Sequence, residues 1–512
     1  MTVQTQFSTD PNAIVTVHVS IVQAPTPINY QRTGAFVSFG ATTTNPGDTN
    51  LLTQLSDLNQ PPAGAPVATP PILQGVQAVT SAIWAGGTVT ITSTNPIPNH
   101  PTIGDTIQMS ISGFAPAAYN GVVTATVTAV NTFTYPVASN PGATTTLGTY
   151  QSMGAVELSQ MATTYFSQGN EVAVWVLELG YQNSYNNEVS ALQTWLTNNP
   201  LTIYGFLMPR RFGSDPTILG LVQTPTPFTN LLKQYENPEA MEYFWLTVTP
   251  STMTNLFEPN VSPAPGSTFK DVIQMVEAPV LTDPTSFNLA DPNGEFTMAA
   301  MFYNALQYRP SNTNRIAPMA FKYLYGVTEY PQKNNGPLLR SFKDYWTNYV
   351  STGAEGGISF TMVYQGVTLD GEDYFNWWYT IDWVQIEINL NLSNAIINGS
   401  NNPLAPLYYN QDGINYLETV LYSTMQSAQV FGMVLGKIEM TQYDGPDLSA
   451  AIYGGQFAGK CDVNAVPFLN YTLANPGDYK IGEYDGLSTL FIPARGFIHI
   501  LVNVVASNLI SI

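Results

Sequence analysis

Each end of the chain carries a short segment in which apolar residues alternate with polar ones. The apolar positions are Val15, Val17, Val19 and Ile21 in the first segment and Ile498, Ile500, Val502 and Val504 in the second. A period of two in β-branched residues predicts strands that bury one face. An apolar terminal strand is an aggregation hazard unless another strand covers its free edge. We therefore expect these eight residues to pair with strands of neighbouring copies of the chain.

Proline and glycine separate both strands from the rest of the chain. The run APTP at 24–27 stops the first strand, and PARG at 493–496 precedes the second. Proline donates no hydrogen bond and holds the preceding residue extended. We assign residues 1–27 to an N-terminal strand-donating arm and 496–512 to a C-terminal one, with Gly496 as a hinge. The alternative is that each strand completes a sheet inside its own subunit.

The composition favours a folded chain that contacts copies of itself. Hydrophobic residues make up 44% of the 512 residues and aromatic residues 12%, which excludes a disordered protein. Only 10% of residues are charged, and amides and hydroxyls fill the polar positions. Such groups cost less to desolvate than charges. We therefore expect a homo-oligomer.

The charge balance and the chain ends exclude several classes of partner. The 15 basic and 35 acidic residues give a formal net charge of −20, which repels a phosphate backbone, so no nucleic acid contact is expected. The N-terminus lacks a secretion signal, and 496–512 is short and interrupted by polar residues. We expect cytoplasmic synthesis and no membrane insertion. Cys461 is the single cysteine, so no intrachain disulfide forms.

Most of the chain alternates between helical and strand patterns. A strand is expected at 34–39 and a short helix at 51–58. Helices are then expected at 158–166, 189–196, 231–235 and 298–306, and strands at 172–179, 201–207 and 242–248. These segments predict an α+β multidomain protein. Residues 28–60 and 151–370 form its discontinuous α/β core.

Residues 61–150 differ from their surroundings. They combine proline and glycine turns with short runs rich in threonine and valine, and they carry almost no charge. Several short strands between turn signals are typical of a small all-β fold. We predict an inserted, surface-exposed β-sandwich of the immunoglobulin-like kind, or a small barrel.

The segment 371–495 is predicted to form a C-terminal core. Its aromatic run at 374–383 leads into a helix, and a second helix follows, capped by Asp412. The expected apolar stripes are Trp377, Ile381, Val384, Ile388 and Leu392 in the first helix and Ile414, Leu417, Leu421, Met425 and Ala428 in the second.

The sequence offers little for catalysis. His18, His100 and His499 are the only histidines, and no phosphate-binding loop is present. Glu372 and Asp373 precede the aromatic run and could describe a glycosidase cleft, but adjacent side chains point in different directions. We expect no enzyme activity, no cofactor and no metal.

Several segments together resemble the contractile bacteriophage tail sheath family, in the branch formerly labelled a domain of unknown function. They are GAFVSFG at 34–40, LSQMATTYFSQ at 158–168 followed by the strand at 172–179, FKYLYGVT at 321–328, NWWYTIDW at 376–383 and YNQDGI at 409–414. The insertion adds GD at 104–105, SG at 112–113, YNG at 119–121 and VNTFTY at 130–135, similar to small β modules of phage tail proteins. Residues 225–291 match no motif of the family.

The resemblance implies a structural subunit without catalytic residues. It implies helical assembly around a tail tube, terminal strands donated to neighbours, and contraction that drives the tube through the host envelope. The implied partners are further copies of the chain, the tube protein, and baseplate and tail terminator proteins. The implied location is the virion, after assembly in the host cytoplasm.

Two other functions stay open from the sequence. The tryptophans and tyrosines could bind sugars, with the insertion serving a tail adhesin or a baseplate-associated glycan-binding protein. A polysaccharide hydrolase that uses Glu372 and Asp373 is less favoured.

Overall fold

The structure is a computed structural model that describes residues 30–65, 69–97, 102–237, 239–257, 269–278, 294–311, 315–331, 335–352, 360–371, 373–441 and 460–496. The strands are β1 (Gly34–Ser38), β2 (Thr49–Leu52), β3 (Gln77–Ala85), β4 (Thr88–Ser93), β5 (Thr106–Ser112), β6 (Gly121–Ala129), β7 (Thr132–Pro136), β8 (Thr149–Ser152), β9 (Val174–Glu178), β10 (Gly205–Leu207), β11 (Tyr243–Val248), β12 (Val272–Val276), β13 (Tyr349–Thr352), β14 (Thr361–Tyr364), β15 (Val434–Leu435), β16 (Lys437–Met440), β17 (Lys460–Ala465), β18 (Leu487–Leu490) and β19 (Ile492–Pro493).

The helices follow the same order. They are α1 (Met153–Ser167), α2 (Tyr185–Asn198), α3 (Arg211–Ser214), α4 (Pro216–Leu219), α5 (Pro227–Leu232), α6 (Thr297–Leu306), α7 (Gly336–Asp344), α8 (Phe375–Ser400), α9 (Gln411–Val430), α10 (Phe468–Ala474) and α11 (Pro476–Ile481). Short 3-10 turns lie at Leu55–Asn59 and Ala117–Tyr119.

A six-stranded sheet forms the centre of the α/β part, in the order β12-β11-β10-β1-β9-β2. Neighbouring strands are parallel except β2, which runs antiparallel to β9. Every residue of β1, β11 and β12 is buried, as expected for a parallel sheet covered on both faces.

Alternate residues of the strands face two different helical layers. Phe36 of β1 joins the core under α1 and α6, whereas Ala35 and Val37 join the core under α2 to α5. Most of the helices and strands expected between 158 and 306 are present, but the helix expected at 231–235 lies earlier, at Pro227–Leu232, and the strand expected at 201–207 is limited to Gly205–Leu207. The helix expected at 51–58 is wrong in its first half: residues 49–52 form β2, because Leu52 is buried beside β9 while Leu51 points outward.

The insertion between β2 and α1 is a closed barrel in the order β3-β4-β7-β6-β5-β8. Its interior holds a separate apolar core that includes Val89, Ile91, Phe133 and Tyr150. The immunoglobulin-like sandwich is therefore corrected to a barrel. Closure comes from β8, which pairs with both β3 and β5 and so leaves no open edge.

The C-terminal part is a helical hairpin on a small sheet. Helices α8 and α9 enclose a core with Trp383, Leu392, Leu421 and Met425, and β16-β17-β18 packs against α9. Asn410 rather than Asp412 caps α9, since its side chain accepts a hydrogen bond from Gly413 N at 2.9 Å. No helix within the described ranges is long and apolar enough to cross a membrane.

Candidate functional site

The eight residues expected to exchange between copies lie outside the described residues. They are Val15, Val17, Val19, Ile21, Ile498, Ile500, Val502 and Val504. The structure does describe the two places where the arms join the body of the protein, at Tyr30 and at Gly496.

The N-terminal arm joins the body inside the core. Tyr30 is 2% exposed, and its hydroxyl donates to the carbonyl oxygen of Met241 at 3.3 Å. The next residue, Gln31, is also buried and donates from Nε2 to the carbonyl oxygen of Tyr379 at 2.9 Å. The main chain that follows the N-terminal arm is thus fixed to helix α8.

The main chain before the C-terminal arm contacts the same helix. Asn376 Nδ2 donates to the carbonyl oxygen of Ala494 at 2.9 Å, and Ala494 N donates to Met433 O at 2.7 Å. Arg495 forms an ion pair with Asp373, and its guanidinium lies 4.3 Å from the centre of the Trp377 ring. These contacts hold the main chain directly before the arm.

Gly496 is required by a close approach. A Cβ atom at this position would lie 2.3 Å from Cγ of Pro318, much nearer than carbon atoms pack. The structure therefore gives a packing reason for the glycine, and the expectation that Gly496 acts as a hinge stays a prediction.

Both arms are rooted on the first turns of one helix. Asn376 and Tyr379 hold the two roots, and they are three residues apart, a rise of about 4.5 Å along an α-helix. We call this region the arm anchor: Tyr30, Gln31, residues 373–382 and residues 494–496.

A buried carboxylate docks the arm anchor on the central sheet. Asp382 is fully buried, and its Oδ2 accepts hydrogen bonds from the hydroxyls of Tyr204 at 2.9 Å and Tyr243 at 2.8 Å. The two tyrosines stand at the amino ends of β10 and β11. Around them, Phe375 and Tyr379 pack edge-on against other buried rings. Helix α8 is therefore held to the sheet at the point where both arms are attached.

The charges under the arm anchor are poorly compensated. Glu242, Asp271 and Asp382 are buried near one buried ammonium group, that of Lys270. Asp382 Oδ1 and both carboxylate oxygens of Asp271 have no hydrogen-bond partner among the described residues. Burial raises the pKa of Asp382 to about 6, against the opposing effect of Lys270 and the tyrosines. Burial also raises the pKa of Asp271 and of Glu242, so this region favours bound protons.

The small C-terminal sheet presents an outer strand shortly before the C-terminal arm. In the part of the chain that the structure describes, β18 pairs with β17 alone and each of its four residues is half-buried. Its outward main-chain groups can accept a further strand in the manner of β-augmentation.

The sequence predicted helix α8, but it did not predict which side chains of its first turns are fully buried or that they hold both arm roots. The expected stripe includes Trp377 and Ile381, which are half-buried, whereas Phe375, Tyr379 and Asp382 are fully buried. One signal was available: a single aspartate inside an aromatic run predicts a buried carboxylate with dedicated partners.

The residues considered for catalysis do not converge in the described structure. The three histidines and Glu372 lie outside the described residues. Asp373 is paired with Arg495 at the arm anchor. Within the described ranges, no group of three histidine, cysteine, aspartate or glutamate side chains is placed to hold a metal ion.

Comparison with known proteins gives a distant likeness to solved structures. The chain matches no protein-family model. It matches no curated protein either. Among solved structures it is similar to the sheath tail protein Lin1278 from Listeria innocua, with 10% sequence identity and a TM-score of 0.35 over 81% of this chain and 87% of that chain. A likeness at this level assigns neither a family nor a function.

Proposed function

We propose that this chain is the structural subunit of a contractile phage tail sheath, assembled helically from copies that exchange their terminal strands. The observation that supports it best is the arm anchor, where both arms join the body within one turn of α8. Two apolar terminal strands and a common root are what a chain of linked copies requires.

Because both arms attach near the same turn of α8, a force can pass from one arm to the other over a short distance within each subunit. A pull on the N-terminal arm passes through Gln31 to Tyr379, and a pull on the C-terminal arm passes through Ala494 to Asn376. Part of the load then crosses one turn of helix, and the rest reaches the parallel sheet through the main chain from Gln31 to β1. Subunits linked in this way can repack as rigid bodies while the links persist.

The outer edge of β18 supplies an acceptor for a donated strand. Pairing would add several main-chain hydrogen bonds, and the alternation of apolar residues in the arms would select one register. A head-to-tail contact that does not close generates an open helical filament. In this proposal the filament surrounds a tube, attaches to baseplate and terminator proteins, and contracts without nucleotide by moving from a metastable packing to a more stable one.

Deletion of each arm tests the proposal. Purified full-length protein is expected to form long tubes in negative-stain electron micrographs, whereas chains that lack 1–22 or 497–512 should remain small particles. A matched control replaces Thr16, His18 and Ser20 by alanine, which leaves the apolar face of the first arm intact and should preserve tubes. Tubes of normal length from either deletion would refute strand exchange.

A further inference from the structure

A large cleft separates the barrel from the central sheet. Its volume is about 730 Å³, within the range of about 300–1,000 Å³ that is usual for small-molecule sites. One wall is formed by residues that follow β1, β9 and β10, and the opposite wall by strands β5 and β6. The hydroxyl of Tyr181 donates to Thr106 O at 2.8 Å, which links the two walls.

The cleft lies where an open α/β sheet binds ligands. From β1 the chain continues through β2 and the barrel to β9 on one side of β1, and from β9 it crosses to β10 on the other side. The connections therefore diverge at β1, and the crevice at the carboxyl ends of such strands is the general ligand position in doubly wound sheets. No part of the arm anchor lines this cleft.

One oxygen of a buried carboxylate in the cleft lacks a hydrogen-bond partner among the described residues. The side chain of Glu188, at the start of α2, is 5% exposed. Its Oε1 forms an ion pair with the Arg211 guanidinium at 2.7 Å, but its Oε2 has no hydrogen-bond partner among the described residues. A buried acceptor without a donor destabilises the folded protein. A ligand that brings a hydroxyl or amide donor would remove this destabilisation.

Glu188 can bind ligand groups in either of its two protonation states. Burial raises the pKa of this carboxyl to about 7, although Arg211 acts in the opposite direction. Near neutral pH, Glu188 can therefore accept a hydrogen bond as a carboxylate or donate one as an acid.

The other residues that line the cleft suit a ligand that contains a ring with polar groups at its edge. Phe39, Tyr181 and Tyr185 line the cleft, and the Arg211 guanidinium lies 5.4 Å from the centre of the Phe39 ring. Aromatic rings bury the apolar faces of a ligand, while the arginine and carboxylate can hydrogen-bond to its edges.

The charges in the cleft disfavour ionic ligands. Arg210 is neutralised by Glu277, with Nε and Oε2 2.9 Å apart, and Arg211 is paired with Glu188. An anion would approach Glu157 and Asp215, and a cation would approach Arg211.

We propose that this cleft binds a neutral saccharide, with Glu188 and Arg211 hydrogen-bonding its hydroxyls and the aromatic side chains covering its ring. The site is separate from the arm anchor, so saccharide binding and assembly are independent properties of the chain.

Ligand-observed NMR with the full chain tests the site. The probes are glucose, galactose, lactose, maltose and N-acetylglucosamine, with spermidine and citrate as charged comparisons. At least one sugar should show saturable binding, and Glu188→Gln should weaken it tenfold or more. Arg211→Lys is a second variant, since this half-exposed side chain tolerates change, and it should weaken binding as well.

A matched control and a separate readout complete the experiment. Glu483→Gln, an exposed carboxylate after α11, should leave sugar binding unchanged. Tube formation in the same samples should be unaffected by every variant. The proposal is overturned if no sugar binds, if both cleft variants bind as the wild type does, or if only spermidine or citrate binds.

Discussion

Single residues explain how the helical layer approaches the sheet so closely. Gly34 of β1 and Gly205 of β10 are partners in the parallel register. A Cβ atom on Gly34 would lie 2.6 Å from Cζ of Phe302, and one on Gly205 would lie 2.7 Å from its Cε2. The two glycines therefore form a flat surface on which the Phe302 ring of α6 packs.

Replacing Gly34 by alanine is expected to lower the free energy of unfolding by about 1–3 kcal/mol, because overpacking forces the ring or the helix to move. Urea unfolding followed by tryptophan fluorescence measures the change. Gly336→Ala is the control, since a Cβ there meets nothing within 4 Å. Equal midpoints for Gly34→Ala and the control would show that the close contact with Phe302 is absent.

Asp382 is expected to make the protein less stable as the pH rises. Its folded pKa of about 6 is above the unfolded value near 3.9, so the folded state binds this proton more tightly. The stabilisation is complete below the unfolded pKa and is lost as the pH rises through about 6. A pKa difference of this size between the folded and unfolded states corresponds to about 3 kcal/mol of stability.

Asp382→Asn cannot titrate, and its amide oxygen can still accept from Tyr204 and Tyr243. As the pH rises from about 4 to about 6.5, the variant should therefore gain stability relative to wild type in urea unfolding, because the wild type loses the contribution of this bound proton. Asp412→Asn, at an exposed position of α9, should show no such gain. A stability difference between Asp382→Asn and wild type that does not change with pH would contradict the buried titration.

Among the secondary-structure elements, helix α8 connects three parts of the molecule. Its first turns hold both arm roots, Asp382 docks it on the sheet, and its later turns form the hairpin with α9. A change at an arm root should therefore affect assembly more than folding.

Arg495→Ala tests this separation. The side chain of Arg495 is 45% exposed, and ion pairs at such positions contribute at most about 1 kcal/mol, so the monomer should unfold at nearly the same urea concentration. Losing the contacts with Asp373 and Trp377 should loosen the arm and shorten tubes or raise the concentration needed for assembly. Arg340→Ala, on the exposed face of α7, is the control. Unchanged assembly of Arg495→Ala would show that the root bears no load.

The elements differ in how far the sequence predicts them. Helices α1, α2 and α6 follow from local periodicity, and so do the buried strands β1, β9 and β11, whereas the equally buried β12 was not predicted. Closure of the barrel does not, because it depends on β8 pairing with both β3 and β5 across many residues. The sheet β16-β17-β18 does not follow from the sequence either, since its strands have four to six residues and little alternation.

The candidate site is likewise only partly predictable from the sequence. The arms are predicted from the alternation of Val15 to Ile21 and of Ile498 to Val504, which lie outside the described residues. Their common root depends on Gln31 and Ala494 meeting the same helix, at sequence separations of 348 and 118 residues. No local pattern encodes such contacts.

For the molecule as a whole, the net charge makes a prediction about salt. Each copy carries a formal net charge of −20, so assembled copies repel one another, while strand pairing depends on main-chain hydrogen bonds and apolar contacts. Raising NaCl from about 0.05 to 0.5 M shortens the Debye length and should lower the concentration needed for tubes. Sedimentation assays measure this concentration. Tubes that dissolve in high salt would indicate subunits held by ion pairs.

Strand exchange between copies can be observed in a high-resolution electron cryomicroscopy map of the assembled protein, in which the arms are traced from their roots. We expect the apolar strands that contain Val15 and Val502 to pair with strands of neighbouring copies, and both arms to leave the body at the first turns of α8. A map in which each arm folds back onto its own subunit, with no strand shared between copies, would contradict strand exchange.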